Sequence, residues 1–135
     1  MTQDNSNKKI LVVDDDPDFL VQHEALLKRA GYQVVTAPGK TEAEAMLDEV
    51  QPDLAVVDVM MENADDGFTL CYHIKKKMPQ TPVVMVTSVN DETRHGFNTS
   101  IEEQREWIKA DALLAKPIRF EQLTRELDRL LGVTH

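Results

Sequence analysis

Four short apolar runs in this chain each hand over to residues that can do chemistry. Ile10-Leu11-Val12-Val13 leads into Asp14-Asp15-Asp16, and DLAVV at 53–57 leads into Asp58. VVMV at 83–86 leads into Thr87-Ser88, and ALLA at 112–115 into Lys116-Pro117. Clustered carboxylates repel one another unless a cation sits among them or some are protonated. Hard oxygen ligands that leave room for water favour Mg²⁺, above all when a phosphate completes the octahedron. A carboxylate in such a site can also attack phosphorus as a nucleophile. Lysine and threonine supply a compact positive charge and a hydroxyl donor for the oxygens of a transferring group. Taken singly, each residue has a plainer role as turn former, cap or solvated charge. Asp16 is read in that plainer way, because Pro17 follows it at a first helical position. Asp14 and Asp15 are thereby left on the metal side of the triplet.

These residues are far apart in sequence, so the chemistry requires a fold that gathers the strand ends. A continuous apolar run marks a strand buried on both faces. Amphipathic segments separate the runs. Phe19, Leu20, Leu26, Leu27 and Ala30 share a side of a helix over 17–30, with Gly31 as its stop. YQVVT at 32–36 reads as a second strand. Ala43, Met46, Leu47 and Val50 line a second helix, and Phe68, Cys71, Ile74 and Met78 a third. Phe120, Leu123, Leu127 and Leu130 line a last one. Strand–helix units in a row, five of them here, imply an α/β fold, a parallel sheet with helices on both faces. Right-handed crossovers then leave few topologies. In such sheets ligands bind beyond the carboxyl ends of the strands, where the strand order reverses. The expected organisation is one domain over 9–131. Residues 1–8 would form a disordered tail and 132–135 a short one, with no output domain expected.

Composition narrows the partners. The 135 residues are the length of one ordinary domain. The net charge of −9 disfavours direct nucleic-acid binding, which relies on lysine and arginine at phosphates. The single cysteine, Cys71, excludes an internal disulfide and suits a reducing cytoplasm. No apolar run approaches the roughly 20 residues of a membrane span, and Met1 to Lys9 lack an apolar signal core. The expected location is cytoplasmic, with no membrane partner.

The motifs ILVVDDDPDF (10–19), DLAVVDVMM (53–61), DGF (66–68), VVMVTS (83–88) and AKPI (115–118) together resemble the receiver domains of two-component response regulators. The resemblance spans about residues 8–131. It implies a flavodoxin-like, doubly wound five-stranded sheet in the order 2-1-3-4-5, and a phosphorylation-dependent signalling switch. Asp58 would accept a phosphoryl group from a sensor histidine kinase or a phosphotransfer protein. Asp15, Asp58 and the backbone carbonyl of Met60 would bind Mg²⁺ directly, and Asp14 largely through water. Thr87 and Lys116 would hold the phosphoryl oxygens, and the Lys116–Pro117 bond would be cis. The protein would act on itself alone, promoting its own phosphorylation and dephosphorylation, and would signal to a downstream protein.

Three departures from the family pattern stand out. The loop after Asp58 carries Glu62 where proline is common, and its stretch to Gly67 looks one residue long. The segment from Thr87 to Lys116 is longer than usual. Leu113 stands three before the lysine, where the family commonly has an aromatic residue. Within 88–113, Ser100-Ile101-Glu102-Glu103 has capping-box spacing and would start a short helix carrying Trp107. Met60 and Val89, both apolar, flank the family's path for attacking water, so slow self-dephosphorylation is expected. His23, His73, His95 and His135 lack metal-ligand spacing and read as surface residues. Cys71 reads as a small buried apolar residue. Lys75-Lys76-Lys77 is a basic helix end that suits the dipole. Two other functions compete: an unphosphorylated interaction module of the same fold, and a haloacid-dehalogenase-like phosphatase using the Asp14-x-Asp16 spacing.

Overall fold

The computed structural model describes residues 8–59, 61, 66–88 and 110–132. Strands β1 (Lys9–Val13), β2 (Gln33–Ala37), β3 (Leu54–Asp58), β4 (Val83–Ser88) and β5 (Ala112–Lys116) form one sheet in the order β2-β1-β3-β4-β5. Every pairing is parallel. Helices α1 (Pro17–Arg29), α2 (Lys40–Val50), α3 (Asp66–Lys77) and α4 (Phe120–Leu131) cover it. This is the expected flavodoxin-like architecture and strand order.

Two cores explain the continuous apolar strands. Alternate residues Leu11, Val13, Ala55, Val57, Val83 and Met85 pack with Ala43 and Leu47 of α2 and Leu70, Cys71 and Ile74 of α3. The intervening residues Ile10, Val12, Leu54, Val56, Val84 and Val86 pack with Leu27 of α1 and Leu123 and Leu127 of α4. Both faces of each central strand are therefore dry, and a period of two in hydrophobicity has nothing to act on. Burying one such side chain fully contributes roughly 1.5–3 kcal/mol.

Charged residues at the amino ends of the strands serve the framework. Asp53 accepts the Lys9 backbone N–H at 2.7 Å. Asp111 Oδ2 accepts the Val83 N–H at 2.8 Å and the Lys75 ammonium at 2.6 Å. Lys75 also reaches the Thr81 carbonyl at 3.0 Å, so it ties the end of α3 to the starts of β4 and β5. Lys77 pairs with Asp48 of α2 at 2.9 Å. The basic helix end is thus held by carboxylates as well as by the dipole.

β2 and β3 run one residue later than the sequence pattern placed them. Tyr32 is buried, and its N–H bonds to the Leu27 carbonyl at 3.1 Å, which makes it the last residue of the turn. His23 departs from the expectation of a surface residue. It is buried, 6% exposed, because its ring stacks on Phe19 one turn earlier. Cys71 is buried, and burial pushes its thiol up to about 11. Leu113 is partly buried against the α2–α3 core. The readings made for Met60, Glu62, Val89, His95, the Ser100 capping box, Trp107, His135 and the outer tail residues lie outside the described residues.

Candidate functional site

The carboxyl ends of β1, β3, β4 and β5 meet at one edge of the sheet. Register makes the meeting unavoidable: Val13 pairs with Val57, Asp58 with Val86, Thr87 with Ala115, and Ser88 with Lys116. Asp14 and Asp58 are buried there, 0% and 6% exposed, while Asp15 is exposed. Asp14, Asp15 and Asp58 each place a carboxylate oxygen within 4.8 Å of the others'. Thr87 is half-buried at the end of β4.

The triplet after β1 divides its work. Asp14 Oδ1 accepts the Asp16 N–H at 2.9 Å, and Asp14 Oδ2 accepts the Lys116 ammonium at 2.9 Å. Asp16 caps α1: its Oδ1 accepts the Asp18 N–H at 3.0 Å, and Pro17 occupies the first helical turn. Its carboxylate therefore belongs to the helix start, and the phosphatase reading loses its second acid.

Lys116 Nζ lies 3.9 Å from Asp58 Oδ1. Burial alone would pull its pKa down. The hydrogen bond to Asp14 and the charges of Asp58, Asp14 and Asp16 outweigh burial and raise it. Lys116 stays an ammonium, so three carboxylates against one ammonium leave two formal negative charges. The Lys116–Pro117 bond is cis. This donor set fits a divalent hard cation: all oxygen, two of three groups buried, and a charge excess that one such ion would balance. The backbone carbonyl of Met60 lies outside the described residues.

Two features of the site could not be read from the chain. A Cβ on Gly67 would lie 2.2 Å from the Asp58 carbonyl oxygen and 2.6 Å from Val59 Cα. The Gly67 N–H donates to the Val59 carbonyl at 3.0 Å. Only a residue without a side chain lets α3 start this close to Asp58. Phe19 lies against Lys116, with the ammonium 4.6 Å from its ring centroid. The one-turn spacing of Phe19 and His23 was the available signal that both share a helix face.

Comparison with known proteins agrees with this geometry. Residues 10–128 match the family described as response regulator receiver domain. The chain is 35% identical over 137 residues to the transcriptional regulatory protein ZraR of Escherichia coli K12, a match covering 100% of this chain and 28% of ZraR. The solved CheY-like receiver domain protein of Methanospirillum hungatei JF-1 superposes with a TM-score of 0.79 at 28% identity, over 94% of this chain and 95% of that one. The response regulator TrrA of Thermotoga maritima, solved in complex with Mg²⁺-BeF, gives a TM-score of 0.74 at 26% identity, over 92% and 99% of the two chains. The chain spans between 28% and 50% of the length of the curated relatives it matches. By sequence, strand order and the ends of its strands, the chain belongs to the receiver domains of two-component response regulators.

Proposed function

We propose that Asp58 is a phosphoacceptor and that the chain is a signalling switch set by its phosphorylation. The observation that carries this reading is the approach of Lys116 to Asp58, 3.9 Å, beside the acidic group of Asp14 and Asp15. An oxygen of the Asp58 carboxylate attacks phosphorus of the donor. The bond from phosphorus to the donor's leaving atom breaks, and the donor departs with the electron pair. From a phosphohistidine, the leaving atom is an imidazole nitrogen.

Lys116 and the Thr87 hydroxyl bind the phosphoryl oxygens, as a fixed charge and a donor aimed where negative charge gathers. Asp15, Asp58 and the Met60 carbonyl would hold Mg²⁺, with Asp14 acting through water. Bound there, Mg²⁺ would offset the charge of the carboxylates and of the incoming phosphoryl oxygens. Gly67 keeps the start of α3 against the backbone of Asp58 and Val59. The donor class is a sensor histidine kinase or a phosphotransfer protein, and the output is a downstream protein.

The test is intact mass after treatment with acetyl phosphate and Mg²⁺. Wild type gains one phosphoryl group and Asp58→Ala gains none. Equal labelling of both proteins would refute the assignment, and no labelling of wild type would favour an unphosphorylated interaction module.

A further inference from the structure

Lysine has a four-carbon stem and a freely rotating ammonium, so one hydrogen bond does not fix its head group. Lys116 has a second restraint. Its Nζ stands over the ring of Phe19, 4.6 Å from the centroid, where the negative face of the ring attracts a cation. The His23 imidazole stacks on Phe19, with ring centroids 3.9 Å apart and planes inclined by 22°. His23 is itself held, by a 3.0 Å contact between Nδ1 and the Phe19 carbonyl and by burial. Phe19 therefore cannot turn without dislodging a buried ring.

We propose that Phe19, backed by His23, positions Lys116 at the mouth of the acidic site. Both residues lie on α1, whose cap is Asp16, two residues from Asp14. The aromatic pair and Asp14 thus hold the ammonium from two directions and share one anchor. Burial keeps the His23 imidazole below its ordinary value, against the pull of the Phe19 carbonyl and Asp14. A neutral imidazole places no second positive charge behind the ring. Phe19 and His23 touch no reacting atom and act only through Lys116. The functional half of this inference rests on the phosphoacceptor reading: Lys116 meets the phosphoryl oxygens while an Asp58 oxygen attacks phosphorus and acetate leaves with the electron pair.

The test joins a geometric readout to a kinetic one. A ring face over an ammonium shifts the neighbouring ε-methylene protons upfield in NMR spectra. The Lys116 ε-protons are expected upfield of those of lysines remote from any ring in wild type, and upfield of Lys76, whose ammonium stands farther from a ring, 5.9 Å from the Tyr72 centroid. The shift should vanish in Phe19→Leu, persist in Phe19→Tyr and shrink in His23→Leu. Labelling of Asp58 by acetyl phosphate with Mg²⁺ should slow about three- to tenfold in Phe19→Leu and recover in Phe19→Tyr. The proposal is overturned if wild type labels normally but its Lys116 ε-protons show no Phe19-dependent shift. It is equally overturned if Phe19→Tyr behaves like Phe19→Leu in both readouts. Wild type that keeps the shift yet takes no phosphoryl group overturns the phosphoacceptor reading instead. His23→Leu retains the Phe19 ring, so it decides the role of the backing if Phe19→Leu folds poorly.

Discussion

Lys116 bonds to Asp14 across 102 residues of sequence, with Nζ 2.9 Å from Oδ2, and stands a full ångström farther from Asp58. The ammonium thus compensates the fully buried acid. Removing it leaves Asp14 with an uncompensated charge. Lys116→Met is expected to destabilise the metal-free protein by about 2 kcal/mol, less than for a fully buried pair because the lysine is partly solvated. Urea unfolding measures this. Added Mg²⁺ should stabilise the variant more than wild type, since a cation replaces the lost charge. Equal increments in the two proteins would contradict the account.

Asp15 and Asp16 are neighbours with separate tasks. Asp15→Asn should weaken Mg²⁺ binding, because Asp15 belongs to the acidic cluster. Asp16→Ala should cost about 1 kcal/mol of stability as a lost helix cap. Its Mg²⁺ affinity should change less. Calorimetric titration of both variants checks this; a larger loss of affinity in Asp16→Ala would reverse the assignment.

Gly67→Ala brings a methyl group to 2.2 Å from a backbone oxygen that has no rotamer to escape into. The start of α3 or the end of β3 must move. The expected cost is about 3 kcal/mol, at the upper end of ordinary overpacking. Asp58 labelling should fall even where the variant remains folded. A denaturation midpoint equal to wild type would show that α3 accommodates the methyl.

His23 gives stability a slope with pH. Burial holds its folded-state pKa below the ordinary 6.5, opposed by the Phe19 carbonyl and Asp14 and assisted by Lys116. As pH falls below that ordinary value, the unfolded chain takes up a proton that the folded one refuses. Stability therefore falls between 6.5 and the lower folded-state value, and is full above 6.5. His23→Leu should flatten this part of the profile. Urea midpoints from about pH 7.5 to pH 5 make the comparison; parallel profiles would place the titration elsewhere.

Ile10 to Val13 and Leu54 to Val57 were legible as strands because the fold covers both their faces, so burial appears as an unbroken apolar run. Asp16 was legible as a cap because Pro17 fixes the helix start. Other features depend on distances between elements, which sequence does not carry. His23 has a polar side chain whose burial is decided by Phe19. Gly67 belongs to the DGF motif, but its need for a missing side chain shows only once β3 is placed beside it. The expected face of α3 is buried at Cys71 and Ile74 and is widened by Leu70, while Phe68 and Met78, the latter just past the helix end, are partly buried. The acids after β1 and β3 were legible as a group because parallel strands in register must bring their carboxyl ends together. Which acid Lys116 favours was not, because that choice turns on about an ångström.

The two hydrogen bonds that Asp111 accepts bear on where the ammonium of the site stands. The chain leaves the site edge at Ser88 and comes back at Asp111, whose carboxylate is fastened to the first residue of β4 and to α3. The start of β5 is thus tied to the base of the sheet. From that fixed start, the parallel register with β4 carries Lys116 to the level of Ser88. The ammonium that faces Asp14 and Asp58 at one edge of the sheet is thus placed from the opposite edge, by a carboxylate that never meets it.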